Sequence, residues 1–112
     1  MTDEEFTQLV NSAIDTLPEL AWRLVTEHIP VIVEPEMTDE VRKDCESRGN
    51  IIPDLPHAMY FGPWGVIHGG VHANIRIYKN GIEASPKQDK KKLIKDSIIW
   101  GLQRIFSYGD HL

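Results

Sequence analysis

The chain has 112 residues, 41% hydrophobic and 26% charged, with one cysteine, which fits a single compact domain over 1–112 and excludes multi-domain machinery. A chain of this length buries on the order of 65% of its unfolded surface, enough for a core without disulfides. The net charge of −5 divides unevenly, −8 over residues 1–86 and +3 over 87–112. A lone free thiol at Cys45 and a start without a basic, apolar leader lead us to expect a cytoplasmic protein. The apolar runs Ile29–Val33 and Ile98–Trp100 are far shorter than the roughly 20 residues of a membrane span, so no membrane is expected.

Thr2-Asp3-Glu4-Glu5 has the form of a capping box and predicts a first helix, whose apolar face is Phe6, Leu9, Val10, Ala13, Ile14 and Leu17. Pro18 is suited to the first turn of a second helix over Glu19–Glu27. Ile29–Val33 reads as a β-branched strand near a sheet edge or start, bracketed by Pro30 and Pro35. Thr38 predicts the cap of a short, peripheral helix over Asp39–Arg48, with Gly49 as its stop and Cys45 near the surface. Ala58–Phe61 predicts a second strand, Gly62–Gly65 a turn, and Asn74–Lys79 a third strand closed by the turn dipeptide Asn80-Gly81. Ser85 as N-cap and Pro86 at the first helical position predict the longest helix, Pro86 to Phe106. Its inward stripe is Ile94, Ile98, Gly101, Leu102 and Ile105, with Leu93, Ser97, Trp100 and Arg104 on the adjoining inward flank.

The motifs of nucleotide binding and of the nucleophile elbow are absent, and the acidic surroundings of Cys45 raise a thiol pKa rather than lower it. Of the five histidines, His68 and His72 stand four apart, a spacing that puts two imidazoles on one face of a helix as zinc ligands. Gly69 and Gly70 between them favour a flexible connection. His57, after Pro56, and His111, near the end of the sequence, read as solvent-facing. Lys87–Lys95 lacks neighbouring arginines and stacking aromatics, so a solvated helix face comes before nucleic-acid binding.

Met1-Thr2-Asp3-Glu4-Glu5-Phe6, Leu17-Pro18-Glu19, Ile29–Glu34, Asn74-Ile75-Arg76-Ile77-Tyr78, Gly81-Ile82-Glu83 and Ser97-Ile98-Ile99 stand in an order that resembles the minimal zincin-like metallopeptidase family. The likeness is spread over most of the chain. It implies an α+β, zincin-like fold, a small antiparallel or mixed sheet packed against a long C-terminal helix plus N-terminal helices. In that family the last helix carries His-Glu-x-x-His with an acidic third ligand beyond it. Here the matching positions read Trp100-Gly101-Leu102-Gln103-Arg104, and Asp110 stands where the acidic ligand is expected. An indole N–H only donates and a guanidinium stays protonated, so neither Trp100 nor Arg104 ligates a cation, and Gly101 offers no base.

The resemblance therefore implies a zincin-like shape without zincin chemistry, with no cofactor and no catalytic residue. One expectation is that Arg104 replaces the metal's charge by reaching Asp110 while Trp100 fills the vacated volume; the other is that Arg104 points to solvent and Asp110 only caps the helix end. The leading functional expectation is a domain that binds an extended peptide or protein segment along an exposed strand edge at Asn74, Ile75, Arg76, Ile77 and Tyr78. Tyr60, Phe61 and Trp64 then either line a cleft or belong to the core. A metallopeptidase with a site relocated among His57, His68, His72, Asp110 and His111 is the alternative, and a weak polyanion binder using Lys87–Lys95 ranks last.

Overall fold

The structure is a computed structural model that describes residues 1–61 and 73–109. It is an α+β arrangement of five helices and three strands among the described residues: α1 (Asp3–Asp15), α2 (Glu19–Glu27), β1 (Val31–Glu34), α3 (Asp39–Ser47), β2 (Ala58–Phe61), β3 (Asn74–Tyr78), α4 (Lys79–Ala84) and α5 (Lys90–Gly109). None of these helices is long and apolar enough to cross a membrane. The predicted turn at 62–65 lies outside the described residues.

The capping box forms as predicted, with the Glu5 amide donating to Thr2 Oγ1 and the Thr2 amide to Glu5 Oε1, each at 3.1 Å. Two orphan donors of α1 are thereby satisfied, and Phe6, Val10 and Ala13 turn into the core. Thr38 caps α3 in the same manner through the Val41 amide. Pro18 stands at the N-cap of α2 rather than inside its first turn. Cys45 is buried rather than at the surface, because α3 turns this side chain inward. The guanidinium of Arg42 holds the following segment by donating to the carbonyls of Ile52, Pro53 and Asp54.

The sheet is mixed, in the order β1-β3-β2, with β1 parallel and β2 antiparallel to β3. The segment expected to be an exposed edge, Asn74–Tyr78, is therefore the central strand. Its main-chain groups are used on both sides, as the Ile75 amide donates to Pro30 O at 3.0 Å and the Tyr78 amide to His57 O at 2.9 Å. Successive side chains alternate between faces. Ile75 and Ile77 enter the main core with Phe6, Val10, Ile82, Ile94, Ile98, Leu102 and Ile105. On the other face, Arg76 pairs with Glu34 at 3.1 Å and lies over the Phe61 ring.

Two local signals resolve differently from expectation. Asn80-Gly81 begins no hairpin turn but lies inside α4, where a Cβ on Gly81 would stand 2.0 Å from Pro56 O. The glycine is required for a backbone crossing, not for a left-handed turn. Ser85 ends α4 in extended conformation, as a residue before proline tends to, and α5 starts at Lys90 instead of Pro86. Asp89 serves as the cap, accepting from the Lys92 amide at 3.0 Å.

These two kinds of glycine separate in stability. Gly81→Ala is expected to cost about 3 kcal/mol through the collision with Pro56 O. Gly49→Ala, at φ +86 in open space, is expected to cost only ~1 kcal/mol of backbone strain. Urea unfolding midpoints of the two variants, compared with the parent, measure both.

Candidate functional site

The positions that match the zinc motif sit in the second half of α5. Gly101 is buried, and a Cβ there would meet Ile75 Cδ1 and Cγ1 at 3.1 Å, tighter than ordinary contact. Any side chain at this position requires Ile75 to give way by a few tenths of an ångström. Trp100 is 37% exposed and packs edge-on against Tyr60, with ring centroids 5.2 Å apart and planes at 75°. It covers the sheet from the side rather than filling an interior volume. Arg104 is exposed, so the inward flank of α5 narrows to Leu93 and Ser97, and the expectation that Trp100 and Arg104 turn inward is corrected. The reason is geometric: with Gly101 facing Ile75, positions 100 and 104 lie roughly 60–100° around the helix from that contact, toward its rim. Asp110, the expected partner of Arg104, lies outside the described residues, as do His68, His72, His111 and Trp64.

His57 is half-buried just before β2, and its carbonyl accepts from the Tyr78 amide. Burial, with Lys87 and Lys90 adding repulsion, holds its imidazole below the ordinary 6.5. No group of three or more His, Cys, Asp or Glu able to hold a metal occurs among the described residues. Burial, reinforced by the Asp44 carboxylate, pushes the Cys45 thiol up, so the thiol is not an activated nucleophile. The lysine-rich start of α5 is internally engaged: Lys90 donates to Ser85 O and Glu83 O, and Lys92 meets Asp96 at 2.8 Å.

Among the described residues β1 and β2 are the two border strands of the sheet, and β1 is bracketed by the prolines that suit such a place. In a parallel ladder the residue that bonds across the gap contacts the positions on either side of its register partner. Ile75 is in register with Val31 and bonds Pro30, so Val31 turns its own N–H and C=O away from β3. Val33, in register with Ile77, does the same. Neither residue's outward groups have a partner among the described residues. Ile32 between them is 37% exposed on the sheet face shared with Arg76.

At the C-terminal end of β1 lies a cavity of about 170 Å³ lined by Glu36, Met37, Asp39, Arg42, Asp54 and Tyr78 among others. Tyr78 is 1% exposed and its hydroxyl has no partner among the described residues. Burial, followed by the Glu34 carboxylate, pushes that hydroxyl up to about 12. The groups that act on it, Glu34, Arg76 and Cys45, are not the carboxylates of the cavity.

Gly101→Glu, which places a carboxylate at this position, is expected to lose about 3 kcal/mol by burying a charge against Ile75, read from its urea midpoint. A proton NMR titration is expected to place His57 below 6.5, with Lys87→Gln moving it only part of the way back because burial is the larger cause. The sign follows: the unfolded chain takes up this proton first, so the His57 contribution weakens the fold as pH falls through 6.5 toward the lower native value. A scan against protein-family models finds no family that matches the chain, and a search of curated proteins finds no match.

Proposed function

We propose that this chain is a zincin-like domain without zincin catalysis, which binds an extended peptide or protein segment along the open side of β1. The observation that carries the reading is the set of outward N–H and C=O groups on Val31 and Val33, unpartnered among the described residues. An extended chain laid beside them forms main-chain hydrogen bonds as an added strand. Four such bonds at about 1 kcal/mol each give only millimolar affinity, so side chains of the partner against Ile32 must supply the remainder.

The non-catalytic half of the reading rests on α5. Trp100 and Arg104 offer no lone pair to a cation, and Gly101 is pressed on Ile75 where a general base is required. The polyanion alternative gains nothing from Lys90 and Lys92, whose ammonium groups already have partners.

Selection of binders from a random peptide library, followed by amide chemical-shift mapping, tests the reading. Selected peptides are expected to shift and protect the Val31 and Val33 amides. Val33→Pro removes an outward donor and, like Val33→Ala, part of a side chain that packs on the core, so both are expected to lower the unfolding midpoint while only the proline variant loses peptide binding. Peptides that shift only other residues, or that bind the proline variant as well as the parent, overturn the binding surface. Stoichiometric zinc with chelator-sensitive proteolysis overturns the non-catalytic half.

A further inference from the structure

We infer that the strand received by β1 is a second copy of β1, paired antiparallel about a two-fold axis at Ile32, which rests on the reading of this border as open for pairing. The outward-facing stretch, Val31-Ile32-Val33, reads the same in both directions and has a proline on each side, at Pro30 and Pro35. A copy arriving antiparallel thus presents the same residues in the same order, the condition for an isologous interface.

Counting hydrogen bonds selects the register. With Ile32 opposite Ile32 of the second copy, Val31 lies opposite Val33 in both halves, and all the outward N–H and C=O groups of these residues are used. Centring on Val33 instead places Val31 opposite Pro35, which has no N–H to give. Centring on Glu34 sets like charges face to face. In the Ile32 register Glu34 falls opposite Pro30 of the second copy and keeps its 3.1 Å pairing with Arg76. The exposed Ile32 side chains meet on one face as an apolar pair in the close, non-hydrogen-bonded geometry. The two sheets become one sheet of six strands among the described residues.

Each copy carries −5, so long-range repulsion opposes association and added salt favours it. A four-residue border buries little area, so the pair is a weak, concentration-dependent dimer rather than an obligate one.

Cross-linking reads the register directly. In a Cys45→Ala background, Ile32→Cys is compared with Ile51→Cys, at a residue 97% exposed. Mild oxidation is expected to couple Ile32→Cys into a dimer about tenfold or more faster, since pairing raises the local thiol concentration. Sedimentation velocity is expected to show a monomer–dimer equilibrium that shifts toward dimer as salt rises, and to show Val33→Pro as monomer. A chain that stays monomeric at millimolar concentration, with Ile32→Cys no faster than Ile51→Cys, overturns the self-pairing. If library peptides still shift the Val31 and Val33 amides in that case, peptide binding stands and only the self-pairing fails. If they do not, both fail. Dimerisation that survives Val33→Pro also overturns it, because the copies then meet elsewhere.

Discussion

The approach of α5 to the central strand is possible because position 101 carries no Cβ. Ile75 fills the space that one would take, and the rest of the core is arranged around this seam, with Ile77, Ile94, Ile98 and Leu102 all buried beside it. Each such side chain contributes roughly 1.5–3 kcal/mol of burial, and Phe6, Val10 and Ala13 of α1 belong to the same core. The same contact sets what the helix can do chemically. On the second half of this helix Gly101, Leu102 and Ile105 are buried, while Gln103 and Arg104 are exposed.

Much of the fold is legible locally. The capping box at Thr2, the cap at Thr38 and the bounds of β2 are each determined by groups within a few residues, and they stand where their chemistry requires. The failures are of another kind. Asn80-Gly81 carries the composition of a turn, but the glycine answers to Pro56, a residue far away in sequence. Ser85 has a cap's hydroxyl, and its own amide nevertheless closes α4 by donating to Ile82 O. Sheet order is the least local property of all. Asn74–Tyr78 alternates as a one-sided strand should, yet its polar face is covered as well, since Arg76 pairs with Glu34 and lies over Phe61, and Tyr78 is buried.

The candidate site divides along the same line. That Trp100, Gly101 and Arg104 cannot hold a metal follows from side-chain chemistry and needs no coordinates. That a side chain at 101 would crowd Ile75 follows only from the coordinates. Pro30 and Pro35 signalled a border place for β1, but that Asn74–Tyr78 is not itself a border follows only from β1 and β2 both pairing with β3. The lowered imidazole of His57 arises first from burial and then from lysines about thirty residues further along, neither of which a local pattern contains.

Arg42 gives the fold an unusual dependency. One planar cation fastens the carbonyls of Ile52, Pro53 and Asp54 to the side of α3, and no strand in that stretch shares the task. Its fork geometry matters, because a lysine ammonium is a point charge that cannot span the same acceptors with the same rigidity. Helix and segment consequently come loose together: when α3 frays, three carbonyls return to water in one event. Amide hydrogen exchange in this corner of the molecule is thus governed by a single cooperative opening, the behaviour of a small independent folding unit.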